Sequence, residues 1–410
     1  MLSPTAIDLT KQMEQMQVID CHEHLPPEQV RLELKVDVLT LFSHYTRTDL
    51  VTAGMAPADY DRLHDASVPL DKRWALFRPY LEQIRFGSYA RPAFVAAKEF
   101  YRCDDINDAT YRAISERMAA ANTPGIYRRV LRDRCKIRCC LTQCGRTDLD
   151  GDQLIPVMRL EVFSELRSHE RLAELFPLAK NRPRTIDGYI KAMRAGIEKW
   201  KAEGAVGLKT YAAPRPEASQ AEAGKAFRKL AAKKKLTPAE RATLESYVLD
   251  QAMDIARDLD LVVCVHAGMW GDFRQLDARH FIPWIIRHPD TRIDLYHLSM
   301  PAVRSAIVIG KNWPNVWLNL CWTHIISQQM AVSAMSEMLD LVPVNKVLGF
   351  GGDYNKPVEK VLGHLMMARE DIATVLAARI DAHRMRRDEA LAIIHKWLWD
   401  NPRQLYKLAV

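Results

Sequence analysis

The sequence predicts an α/β protein, a (β/α)₈ TIM barrel with a helical insertion after strand 1. Three observations predict it. Short, apolar, β-branched runs recur along the 410 residues. Helical periodicity fills most of the gaps between them, and several runs end in a polar residue able to do chemistry. The length suits one large barrel with insertions, because such barrels take about 250 residues.

The first run is Val18-Ile19-Asp20-Cys21-His22-Glu23-His24, halted by Pro26 and Pro27. Residues 28–134 break the rhythm. They show helical spacing around Trp74–Ile84 and Asn107–Ala120 with no clear strand, and read as an insertion over the barrel mouth. The second run is Ile137–Gln143, and Leu175–Ala179 is a weak third. A helix predicted over Ile186–Ala202 leads to the fourth, Ala205–Tyr211, followed by a basic insertion at 216–238. Leu261–Val265 runs into His266, and Arg292–Tyr296 into His297. Val316–Cys321 is the seventh run. Val347–Phe350 is the eighth and leads into Gly351, Gly352 and Asp353. Further helices are expected near Thr237–Arg257, Phe281–Arg287, Pro301–Gly310 and Ile325–Leu341, with closing helices from about Glu359. The whole of 1–410 reads as a single barrel domain.

Composition excludes several classes. Apolar residues at 48% and charged residues at 27% exclude general disorder. No apolar run reaches the roughly 18 residues of a membrane helix, and the N-terminus lacks a secretory pattern. The 58 basic and 51 acidic residues give +7, with six positive charges between Lys225 and Lys235. With Phe227 as its one aromatic, that stretch reads as a solvated helical face, so neither nucleic acid nor membrane is expected as a partner. Cys135, Cys139, Cys140 and Cys144 share a ten-residue window that could suggest a metal cluster. On a strand, however, alternate residues face opposite ways, so they read as free buried thiols suited to a reducing cytoplasm.

Barrel active sites form where strands end at the C-terminal face. His22 and His24 end strand 1 two residues apart and leave the same face. Lys209 ends strand 4, His266 strand 5, His297 strand 6 and Asp353 strand 8. A lone histidine after a strand is ordinarily a cap or a hydrogen-bonded residue. Imidazoles and a carboxylate gathered in barrel order are instead the donors a zinc-like divalent ion prefers. On the mouth loops, Tyr211, Arg215, Trp270, Arg274, Trp322, His324 and Tyr354 are candidate substrate-binding residues. Arg215 and Arg274 suit a carboxylate or phosphate, or else form loop salt bridges. Trp270 and Trp322 contact substrate or cover the barrel under the insertion.

This order resembles the amidohydrolase superfamily of metal-dependent barrel enzymes, through VIDCHEHL, GAVGLKTYAA, LVVCVHAG, IDLYHLS and GFGGD. Within it, strand 4, HAGMWGDFR and LDLVPVNKVLGFGGD are similar to the branch that includes domains fused to glutamine synthetase. Uronate isomerases are more distant relatives. The resemblance implies that His22 and His24 hold one metal, also bound by Asp353, and that His266 and His297 hold a second. It implies one or two divalent ions, zinc foremost, and a carboxylated Lys209 bridging two of them. An unmodified Lys209 paired with a carboxylate or a substrate anion is the alternative. Asp353 is implied as general base and acid.

The expected function is therefore metal-dependent hydrolysis of an amide, lactone or ester bond in a small polar, anionic molecule, by a cytoplasmic protein compatible with homo-oligomer assembly. A uronate isomerase-like or decarboxylase-like enzyme is the alternative, and a non-catalytic binding protein that keeps the fold is the rival from another class.

Overall fold

The computed structural model describes residues 2–143, 153–178 and 181–410. Its strands are β1 (Val18–Glu23), β2 (Ile137–Thr142), β3 (Leu154–Arg159), β4 (Gly207–Tyr211), β5 (Val262–His266), β6 (Ile293–Tyr296), β7 (Val316–Asn319) and β8 (Val347–Leu348). They lie parallel in sequential order. Three amides join the ends of the sheet: Cys21 donates to Phe350 O (3.0 Å), Asp353 to His22 O (2.9 Å) and His24 to Tyr354 O (3.0 Å). The result is a (β/α)₈ barrel. Its strands are short and almost wholly buried, which is why they read as apolar runs rather than alternating patterns.

One strand expectation is corrected. Leu175–Ala179 does not supply β3: His169–Leu175 is a helix capped by Ser168, whose hydroxyl accepts from the Arg171 amide, and Ala179 lies outside the described residues. The strand is Leu154–Arg159, where Pro156 interrupts the apolar run and supplies no amide. The Pro156 carbonyl still accepts from the Val206 amide at 3.0 Å, so the sheet continues past it. Helices over Ile186–Ala202, Pro238–Asp258, Val303–Asn312 and Gln328–Leu341 surround the barrel. The first begins at Thr185, whose hydroxyl caps the Gly188 amide.

Between β1 and β2 the longest helices are Leu70–Ile84, Arg91–Tyr101 and Tyr111–Ala121. They enclose a separate apolar cluster around Phe42, Trp74, Phe77 and Ile114. The basic stretch is largely helical: Gln220–Ala231 buries Ala223, Ala226, Phe227 and Leu230 and exposes its lysines. Cys135, Cys139 and Cys140 are buried free thiols, and Cys144 lies outside the described residues. No helix among the described residues is long and apolar enough to cross a membrane.

The C-terminal segment reaches into the barrel, where Tyr406 donates to Asp294 (2.5 Å) beside Asn319 Nδ2 (2.9 Å). Burial raises the Asp294 carboxyl from about 3.8 to about 7, although both hydrogen bonds oppose it. Between those two values the folded state holds more protons than the unfolded one. Stability is therefore full below pH 4 and is lost as pH rises through 7, by at most about 4 kcal/mol. Asp294→Asn keeps an oxygen for both donors and removes the titration. In urea unfolding at pH 5 and pH 8, the variant is expected to lose less stability at the higher pH than the parent does. An equal loss in both proteins would show that Asp294 does not titrate in this range.

Candidate metal centre and active site

The end of β1 is locked by its own acids. Asp20 accepts from the amides of His22 (3.1 Å) and Gly352 (3.2 Å), and Glu23 accepts from the Tyr354 amide (2.6 Å). Burial raises Asp20 to about 7 and pushes Glu23 well above the carboxylate range. The turn after β8 must come close. A Cβ on Gly352 would stand 2.0 Å from Glu23 Oε1, and one on Gly351 would stand 2.4 Å from Cys321 Cβ. Only glycine permits this approach, which brings Asp353 beside the β1 histidines. Asp353, His297 and Trp322 all hold a left-handed backbone, at φ 63°, 65° and 60°. Three such non-glycine residues at strand ends mark a site built under constraint.

Asp353 Oδ1 lies 3.2 Å from Nε2 of both His22 and His24, and Asp353 Oδ2 lies 3.8 Å from His297 Nε2. Donor atoms of His22, His297 and Asp353 all fall within 4.8 Å of one another. His297 Nδ1 donates to the Cys321 carbonyl at 2.9 Å, which leaves Nε2 bare. His297 Nε2 and His266 Nε2 are buried and make no hydrogen bond, and their rings stand 4.5 Å apart. Unpartnered nitrogens facing a carboxylate fit a bound cation. Burial, reinforced by the Lys209 charge, lowers His22 and His266 to about 3, and His297 falls further through burial and the nearby His266. The imidazoles are thus neutral, the form that ligates. Burial opposes ionisation of Asp353, but the β1 histidines outweigh it and hold the carboxyl well below its ordinary range. Lys209 Nζ lies 3.5 Å from His22 Nε2 and 4.4 Å from the Tyr296 ring centre. Burial lowers its pKa, with Asp353 opposing.

These groups face a cavity of about 410 Å³ lined by His24, Lys209, Tyr211, His266, Trp270 and Asp353. His44, Tyr45, Gln143, Arg159, Glu161, Thr210 and Leu276 complete the wall, and the sequence reading missed them. Arg159 sits directly across from Lys209 in the β3–β4 register. Its signal was present at a strand end but was lost with the misplaced third strand. His44 and Tyr45 come from the insertion, where no strand end marks them. Tyr45 is buried beside Asp353, and both burial and that carboxylate push its phenol well up.

The structure places the remaining candidates outside the cavity wall. Arg215 stacks on Tyr211 (4.8 Å) and Trp284 (5.9 Å) and donates to the Tyr211 carbonyl, so it braces Tyr211. Arg274, 78% exposed, forms a loop ion pair with Asp272 (2.8 Å). Trp322 is buried, stacked 4.5 Å from Tyr45 and edge-on to His297. His324 is bound at both ring nitrogens, to Asp371 (2.9 Å) and to the Gly349 carbonyl (3.1 Å). Tyr354 is buried, with its amide on Glu23. Each lies within a few residues of a strand end, but its side chain is engaged away from the cavity.

A parallel barrel with imidazoles and a carboxylate gathered at the C-terminal strand ends has the architecture of a metal-dependent barrel enzyme. The amidohydrolase family model matches residues 179–408, and the chain belongs to this family. Among solved structures, a uronate isomerase from Thermotoga maritima aligns with a TM-score of 0.84 at 15% identity, covering 99% of this chain and 98% of that one. A glucuronate isomerase from Caulobacter crescentus aligns at 0.80 with 18% identity, over 100% and 95% of the two chains. A Lactobacillus casei protein, itself proposed to be a metal-dependent hydrolase, aligns at 0.66 with 16% identity over 97% of each chain. At these identities the likeness concerns the fold. No curated protein matches the sequence.

Proposed function

We propose that the protein is a metal-dependent hydrolase that cleaves an amide, lactone or ester bond in a small anionic molecule. The observation that carries this reading is Lys209, buried among His22, His266 and Asp353 at the floor of the cavity. Four imidazoles, a carboxylate and a lysine exceed what one zinc ion takes from a protein at a catalytic site, usually three ligands. His22, His24 and Asp353 would hold one ion, and His266 and His297 a second. An ion bound there supplies positive charge that activates water and polarises a carbonyl. Lys209 would serve them as a carbamate, because an ammonium cannot ligate a cation whereas a carbamate is an anionic oxygen donor. Asp353 accepts the proton of the attacking water and hands it to the leaving group. Arg159 is largely exposed, and its only contact with Glu161 is a long 3.5 Å. Among the described residues nothing holds it more closely, so it can receive a substrate carboxylate.

The second reading, a uronate isomerase-like enzyme, is favoured by alignment with such enzymes along the whole chain. Both readings are tested by loading the protein with zinc in bicarbonate buffer. The loaded enzyme is given sugar-acid lactones, N-acyl amino acids and carboxylic esters, and separately glucuronate and galacturonate. Acid release from the first group with no keto-sugar from the second is the expected result. Keto-sugar formation without any hydrolysis would establish the isomerase instead. Protein that holds no stoichiometric metal would be a binding module.

A further inference from the structure

Lys360, at the start of the long helix Lys360–Asp381, is buried and has no part in the chemistry above. Its Nζ donates over long distances to the Tyr89 carbonyl (3.3 Å) and Thr46 Oγ1 (3.4 Å), and lies 5.3 Å from the Tyr354 ring centre. Burial lowers its pKa to about 7, with Asp49 opposing. Two long hydrogen bonds and a ring face compensate a buried ammonium poorly, whereas a methionine would fill the same space without desolvation. The three groups it touches belong to the segments that shape the cavity. Thr46 follows Tyr45. Tyr89 stacks with Tyr45 (6.0 Å) and Trp322 (6.3 Å). Tyr354 follows Asp353, and its carbonyl accepts from the His24 amide.

We propose that Lys360 is a positioning residue that ties the insertion to the turn after β8, so that Tyr45 stands over Asp353. It lies outside the cavity wall. Its Nζ reaches the Thr46 and Tyr89 segments of the insertion and also the ring of the residue after Asp353. Neutral packing alone would let these segments slide, and a shift of about 1 Å is enough to cost catalysis heavily.

The test is Lys360→Met, read first by acrylamide quenching of Trp322. The Trp322 contribution is isolated by repeating each measurement on a Trp322→Phe background. Trp322 is buried in the Tyr45–Tyr89 stack, so loosening is expected to raise its quenching about twofold at unchanged metal content. The second reading rests on the hydrolase proposal. For whichever compound of the panel is cleaved, kcat is expected to fall about tenfold with KM changed less. Lys360→Arg, which keeps charge and donors, should recover part of both. Unchanged quenching in a variant with the parent's melting temperature overturns the proposal, and so does a quenching rise with unchanged kcat. If Lys360→Met does not fold, Thr46→Val removes one acceptor, and unchanged quenching there overturns it equally. If nothing in the panel is cleaved, the hydrolase reading fails while quenching still decides this one.

Discussion

Asp353→Asn is expected to lower kcat by about 10²–10⁴-fold, with much less effect on substrate affinity. The carboxylate is buried, held ionised by His22 and His24, and set in a left-handed turn between Gly352 and Tyr354. An amide of the same shape keeps one oxygen near the histidines but cannot accept the proton of an attacking water. Asparagine is also a weaker, uncharged ligand, so metal content must be measured on the same preparation. The comparison belongs at full metal occupancy, where loss of turnover reports proton transfer rather than loss of the ion. An unchanged rate under those conditions would show that another group is the base.

Lys209→Ala is expected to remove activity together with one of two metals. Two divalent ions held by this donor set would repel each other, and an anion between them would relieve the repulsion. A carbamate forms when the unprotonated amine bonds to the carbon of carbon dioxide and releases a proton. Burial lowers the Lys209 pKa, so the reactive amine persists to lower pH than for an exposed lysine. Metal uptake by the parent protein should therefore improve with bicarbonate and mildly alkaline pH. Acetate or another small carboxylate should partly restore both metal and activity to the alanine variant by occupying the bridge. A single metal at saturation, beside an unmodified Lys209 in an electron-density map, would end the two-metal scheme. Lys209 would then become a group for holding a substrate anion, and the isomerase reading would gain.

The sequence by itself determined the barrel and which polar residues close its strands. Seven of its strands coincide with buried, largely apolar runs, legible because both strand faces are covered, although Asp20, Lys209 and Asp294 sit within them. His22, His24, Lys209, His266, His297 and Asp353 were legible for a related reason. In a parallel barrel all strands end on one face, so a polar residue closing an apolar run is brought to its counterparts by topology alone. The exception shows the limit of this logic. Pro156 broke the apolar pattern of Leu154–Arg159, and with that strand Arg159 and Glu161 were lost from the expected site.

Only the tertiary structure decided what surrounds that ring. Being a few residues past a strand end does not say where a side chain points. Trp270 and Tyr211 reach the cavity, whereas Arg215 braces Tyr211, Arg274 pairs with Asp272, and His324 turns back onto the Gly349 carbonyl. Nor could the spacing of residues 28–134 reveal that His44 and Tyr45 cross the mouth to stand beside Asp353. Helical periodicity records which face of a segment is buried, not which distant element it is buried against. Contacts between chain segments hundreds of residues apart, such as Lys360 with Thr46 and Tyr89, arise only when the insertion docks on the closing helix. The gathering of imidazoles, carboxylate and lysine is thus a property of strand order, and the cavity wall is a property of packing.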